Sequence, residues 1–222
     1  MIVIFQDRRH AGQALARLVH LESADDLASG DGIVLGLPRG GVPVAFEVAR
    51  ELRLPLDVFV VRKLGVPGQE ELAMGAVASG GVIVLQKDVI AAYRIDQETI
   101  DKAVAREHLE IKRRENAFRQ GRPPLDLRCH TIILVDDGLA TGATMKAAVR
   151  ALRPIARRMI VAIPVAASGT CEEVRKLVDR LICIECPEFF HAVGEFYRNF
   201  DQTTDDEVCS LLAQARQEQP IT

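Results

Sequence analysis

The chain predicts an α/β protein: a Rossmann-like, mainly parallel sheet with helices on both faces. Two observations carry this. Short continuous apolar runs recur between turn residues at 33–37, 56–61, 131–135, 160–165 and 181–185, which suits strands buried on both faces of a parallel sheet. Segments with apolar residues at helical spacing lie between them, and strands alternating with helices build right-handed βαβ units. With 222 residues and 48% apolar content, the chain suffices for one sizeable α/β domain with an appendage and is short for two.

The elements follow in order. Asp7 can cap a helix over 8–20 whose apolar face is Ala11, Leu15, Leu18 and Val19. Strand 33–37 runs into the turn Pro38-Arg39-Gly40-Gly41 and a helix over 43–52, with Pro43 suited to the first turn. A second buried strand covers 56–61. Residues 62–71 read as loop, and 72–78 and 82–85 as strands around Gly80-Gly81, a hairpin signal. The glycine-bearing segment 64–81 is expected to act as a mobile lid. Residues 96–119 form the most charged helix, with Glu98–Lys102 and Glu110–Arg114 as favourable i, i+4 pairs. It reads as a solvated or dimer-facing helix, and Pro123-Pro124 closes the insertion. Strand 131–135 and a helix over 142–153 follow, then strand 160–165. Thr170 to Glu173 reads as a capping box for a helix to about 179, and Thr204 to Glu207 as one for a C-terminal helix. The whole of 1–222 reads as a single domain: a core over 31–185, a helical insertion over 86–124 and a hood-like C-terminal segment over 186–222.

Composition excludes several classes. A formal charge of −3 and a pI near 6.0 give no general field for nucleic acid. No apolar run approaches the length of a membrane span, and MIVIFQDRRH lacks the parts of a signal peptide. Five thinly spread cysteines argue against a disulfide scaffold; a cytoplasmic protein with reduced thiols is expected. Cys183 and Cys186 form a C-x-x-C. It reads as half a zinc site or a redox pair, or as core cysteines at a chance spacing. The absence of a second C-x-x-C and the apolar run LICIE favour the core reading.

The chemistry concentrates in residues 132–144, IILVDDGLATGAT. A buried strand delivers two carboxylates, Asp136 and Asp137, to the crevice where open α/β sheets bind ligands. The loop Gly138, Leu139, Ala140, Thr141, Gly142, Ala143, Thr144 then presents backbone N–H groups at a helix N-terminus, which favours a phosphate. Acids beside a phosphate cradle suit a ligand carrying sugar hydroxyls or a metal ion together with a phosphate. The chain contains neither G-x-x-x-x-G-K-[ST] nor a G-x-G-x-x-G after a strand, so P-loop and Rossmann dinucleotide sites are unsupported.

Val-Asp-Asp-x-Leu-Ala-Thr-Gly-x-Thr resembles the phosphoribosyl pyrophosphate (PRPP) motif of type I phosphoribosyltransferases, over a core of about 33 to 165. F-x-D-R at Phe5 to Arg8, L-P-R-G-G at Leu37 to Gly41 and V-R-K-L-G at Val61 to Gly65 extend the resemblance to a bacterial group within that superfamily. The resemblance implies the type I fold and transfer of phosphoribose from PRPP, with Mg²⁺, to a nitrogenous acceptor such as a nucleobase, releasing pyrophosphate. It implies that Asp136 and Asp137 hold ribose hydroxyls or metal-bound water, and that the amides of Ala140 to Thr144 with both threonine hydroxyls take the 5′-phosphate. Arg39, Gly40 and Gly41 match the family's pyrophosphate loop; alone they would read as an ordinary turn with an exposed arginine. Arg62 and Lys63 end the second strand and are expected to point into the same crevice, with Arg39 and Lys63 acting on the leaving group.

One departure matters. Ala140 stands where 6-oxopurine transferases place an acid. The spelling is closer to adenine phosphoribosyltransferases, whose R-K, P-G and glutamate loop Arg62, Lys63, Pro67, Gly68, Glu70 and Glu71 can supply. The insertion and C-terminal segment have no counterpart there, so the acceptor stays open. The aromatic run 189–200 reads equally as a hood over the acceptor or as packing for the C-terminal helix. Two functions stand: an enzyme, or a PRPP-sensing regulator with little turnover. The cations at Arg39, Arg62 and Lys63 favour the enzyme. A homodimer is left open.

Overall fold

The computed structural model describes residues 4–218. In chain order the elements are α1 (Arg8–Glu22), β1 (Gly32–Gly36), α2 (Gly41–Leu52), β2 (Leu56–Val58), β3 (Val61–Val66), β4 (Gln69–Ala78), β5 (Val82–Leu85), α3 (Lys87–Ala92), α4 (Gln97–Arg119), β6 (Thr131–Val135), α5 (Ala143–Leu152), β7 (Arg158–Val165), α6 (Ser168–Arg175), β8 (Arg180–Glu185) and α7 (Asp205–Glu218). Five strands form a parallel sheet in the order β2-β1-β6-β7-β8. Side chains alternate across it. Ile133 and Val135 join a core with α1, α2 and α7, whereas Ile132 and Leu134 join one with α5 and α6. The mainly parallel sheet with two helical layers is the fold class read from the chain.

Local chemistry explains most boundaries. The Asp7 carboxylate accepts from His10 N at 2.8 Å and caps α1. Asp96 caps α4 through Thr99 N at 2.7 Å. The expected pairs Glu98–Lys102 and Glu110–Arg114 form at 2.6 and 2.7 Å. Thr204 Oγ1 accepts from Glu207 N at 3.1 Å and opens α7 as expected. The other proposed cap fails: α6 begins at Ser168 without a side-chain cap. Thr170 lies inside it because its hydroxyl donates to Ala140 O at 2.6 Å.

The largest departure lies between 59 and 85. The second strand stops at Val58, and residues 62–71 are not loop. β3, β4 and β5 make a separate antiparallel sheet. Leu64, Val66, Met74 and Val77 are buried on its inner face against α4, which overrides the polar spelling of the segment. The insertion is fastened to the sheet edge by Arg119, whose Nε donates to both Asp57 oxygens at 2.9 and 3.1 Å and whose Nη2 donates to Val58 O at 3.0 Å.

The cysteines also differ from expectation. Cys171 and Cys186 are disulfide-bonded, 15 positions apart. Cys183 keeps its thiol. The core reading of Cys186 fails because it follows the end of β8 at the surface, opposite Cys171 on α6.

Candidate functional site

β1 and β6 are neighbours, with Gly36 opposite Val135. β2 lies beyond one and β7 beyond the other. The chain therefore switches direction between β1 and β6, and their C-terminal ends open a crevice at that switch point. The turn 37–41 leaves β1 there, and Asp136 and Asp137 leave β6 beside it.

The two turns are packed against each other. A Cβ on Gly40 would overlap Asp137 Oδ2, and one on Gly41 would meet Val135 O at 2.8 Å and the Asp136 Cα at 2.9 Å. Glycine is required here by close approach, since Gly40 itself has helical angles. Leu37 N donates to Val135 O at 2.9 Å and joins the turns through backbone.

Asp136 Oδ1 accepts from Asp137 N at 2.9 Å. Asp137 Oδ2 accepts from Arg8 Nε at 2.8 Å, and the Asp137 side chain is only 14% exposed. Burial, then the charge of Asp137, pushes the Asp136 carboxyl well above the usual range. Burial also raises Asp137, opposed by Arg8. Arg8 is itself fixed: its guanidinium lies 4.0 Å over the Phe200 ring, and Nη1 donates to Asp201 O at 2.5 Å. Tyr197 donates to Asp137 O at 2.6 Å. Burial, then the charge of Asp137, raises this phenol, so it stays a donor. Part of the run 189–200 packs beside the acids: Val193 lies against Gly138, and Phe196 and Tyr197 form a cluster with Phe5.

The loop after the acids is held from beneath and open above. Leu139 N donates to Val165 O at 2.9 Å, and Ala167 N to Leu139 O at 3.0 Å. Gly142 adopts φ +64° at the start of α5, with the Thr170 methyl 2.6 Å from where a Cβ would stand. Thr141, Ala143 and Thr144 are exposed. Ala143 N donates to Thr141 Oγ1 at 3.4 Å, and a helix N-terminus of this kind, with first-turn N–H groups that lack intrahelical acceptors, suits an anion.

Arg39 leaves the first turn half-exposed and pairs with Asp205 at 3.7 Å. The expectation that Arg62 and Lys63 point together into the crevice is corrected, because neighbours on a strand face opposite ways. Arg62 turns to α4 and pairs with Glu107 at 2.9 Å. Lys63 lines a cleft of about 780 Å³ that Ala143, Thr144, Lys146, Arg150 and Lys176 also line. So the geometry brings together Asp136, Asp137, Gly40 and Gly41. It sets Lys63 beside Ala143 and Thr144 rather than at the Arg39 turn, the expected place for a cation meeting the leaving group, and turns Arg62 toward α4. Sequence reasoning does not single out Arg8, Tyr197 and Phe200 as site residues. The signals for them are the density of aromatics at 189–200 and the F-x-D-R spelling.

No described helix is long and apolar enough to cross a membrane. Residues 6–201 match the model of the phosphoribosyl transferase domain. A Mycobacterium tuberculosis protein with a provisional phosphoribosyl transferase name is 45% identical over 97% of this chain and 48% of its own length. The chain thus spans about half the length of that curated relative. A Corynebacterium diphtheriae protein named bifunctional protein PyrR is 34% identical over 54% of this chain and 66% of its own. The crystal structure of TT1426 from Thermus thermophilus superposes with a TM-score of 0.81 at 39% identity, over 96% of this chain and 99% of that one. With the match covering most of its length, the chain belongs to the phosphoribosyl transferase domain family.

Proposed function

We propose that the protein transfers phosphoribose from PRPP to a nitrogenous acceptor, a nucleobase by chemical class, and releases pyrophosphate. The observation that carries this reading is the contact of Gly40 with Asp137 at the mouth of the α5 cradle. Sugar-binding acids, a phosphate cradle and a second anion-binding turn then surround one crevice, matching the three parts of PRPP.

In this reading Asp136 and Asp137 accept from the ribose hydroxyls, and the amides and hydroxyls of Ala140 to Thr144 hold the 5′-phosphate. Lys63 adds charge at that phosphate end. Arg39, with Gly40 and Gly41, receives the pyrophosphate. The bond from the anomeric carbon to pyrophosphate breaks, positive charge builds on the ribose ring, and an acceptor nitrogen closes the new bond. No covalent nucleophile is required; positioning and leaving-group stabilisation suffice. Two half-buried carboxylates against one arginine offer a hard-oxygen donor set that fits Mg²⁺ held through water. Bound Mg²⁺ would supply neutralising charge to the diphosphate. The whole chain acts as one unit in this reading, because Arg8 and Tyr197 reach Asp137 from opposite ends of it.

Pyrophosphate release, assayed with PRPP, Mg²⁺ and a panel of purine and pyrimidine bases, tests the proposal. Release with one base supports transfer. Tight PRPP binding without release from any base would replace it with the sensor reading.

A further inference from the structure

Three cysteines converge beside the cradle. Cys171, Cys183 and Cys186 place their sulfurs within 4.8 Å of one another. Cys171 and Cys186 are bonded, and Cys183 is a thiol. Cys171 is buried, Cys183 half-buried and Cys186 exposed. A bond that serves only stability is best shielded from thiols. This one joins a buried cysteine to an exposed residue, Cys186, and has a third thiol at hand, the features of an exchangeable disulfide.

We propose that this cluster is a reversible thiol–disulfide modification site whose state sets the rigidity of the 138–144 loop. The chemistry balances with a low-molecular-weight thiol as co-reactant. Its thiolate attacks Cys186 Sγ and forms a mixed disulfide, and Cys171 leaves with the electron pair and takes the proton. A second thiol then releases Cys186 and departs as the small disulfide. Alternatively Cys183 attacks Cys186 Sγ, expels the small thiol and closes the C-x-x-C, with no net redox change. Burial pushes the Cys183 thiol up to about 12, which slows this second route at neutral pH.

The link to the loop is short. Cys171 follows Thr170, which donates to Ala140 O at 2.6 Å and contacts Gly142. Glu185 O at the end of β8 accepts from Ala166 N at 3.0 Å, Pro187 O just after it accepts from Ser168 N at 3.3 Å, and Ala167 N donates to Leu139 O. The disulfide closes this stack. Opening it frees the first turn of α6, the support under the cradle.

The test uses the full chain without nucleotide, so its outcome is independent of the PRPP reading. Oxidised and dithiothreitol-treated protein are compared by non-reducing peptide mapping and amide exchange. We expect a Cys171–Cys186 linked peptide in the oxidised form, lost on reduction. Exchange at Ala140 to Thr144 should rise about tenfold with that loss, as for a local opening made easier. Oxidised Cys171→Ser should exchange like reduced wild type. Cys183→Ser should keep the linked peptide but never yield the C-x-x-C bond. Three results would overturn the proposal: no linked peptide after oxidation, a linkage that folded protein does not surrender to dithiothreitol, or loop exchange equal in both states.

Discussion

Arg8 and Asp137 stand 129 positions apart in the chain and meet at 2.8 Å. This ion pair joins the start of α1 to the acids after β6 and sets a countercharge against them. Arg8→Ala is expected to weaken PRPP binding about 10- to 100-fold, the scale of a lost hydrogen bond to a charged group. Arg8→Lys should recover only part of this, because it keeps the charge and loses the fork that also reaches Asp201. Titration calorimetry reads both; unchanged affinity in Arg8→Ala would remove Arg8 from the site.

The acid pair should cost stability. Both carboxyls are raised in the folded chain. Between the unfolded and folded pKa values, the folded state holds more protons than the unfolded one. Stability contributed by this pair therefore falls as pH rises through that window. Asp136→Asn is expected to raise the melting point of ligand-free protein at neutral pH, by about 2–4 °C if the gain is on the order of 1 kcal/mol. The same variant should lose its response to PRPP. A lower melting point would show that the folded chain compensates the Asp136 charge and that the pair is not a net cost.

Gly40 and Gly41 should fail differently. A Cβ at Gly40 meets a carboxylate tip, which can swing off Arg8, whereas one at Gly41 meets the backbone of β6. Gly40→Ala is expected to abolish PRPP binding with little change in melting point. Gly41→Ala should destabilise the fold itself, on the order of 1–3 kcal/mol for overpacking. Thermal melts of both variants with and without PRPP separate the two, and equal losses of stability would contradict the distinction.

The mobile part of the 64–81 segment should be narrower than the spelling suggests. Leu64, Met74 and Val77 are 0% exposed and anchor β3 and β4. Amide exchange should be fast only at the tip around Pro67-Gly68, and PRPP should slow it if the tip closes over the crevice. Fast exchange at Met74 and Val77 would indicate that the whole sheet opens.

Much of this was legible because it is local. Apolar runs give the five parallel strands, Asp7 and Thr204 give two caps, and the acids with their glycine-bearing loop are contiguous between 136 and 144. The misread parts depend on contacts between distant residues. Nothing near Arg62 announces that Glu107 will draw it to α4. Nothing near Thr170 shows that its hydroxyl will support Ala140 rather than cap α6. Arg8 and Tyr197 belong to the site only because the fold brings both ends of the chain to Asp137, and the Cys171–Cys186 bond needs α6 packed on the end of β8.

The central claim is that Asp136, Asp137 and the 138–144 loop form a PRPP site, and thermal unfolding with PRPP and Mg²⁺ tests it most directly. Ligand at 100 times its dissociation constant should add about 2.7 kcal/mol of stability. Asp137→Asn should abolish that gain while the variant remains folded. No shift for wild type at millimolar PRPP and Mg²⁺, or an equal shift in Asp137→Asn, would contradict the account.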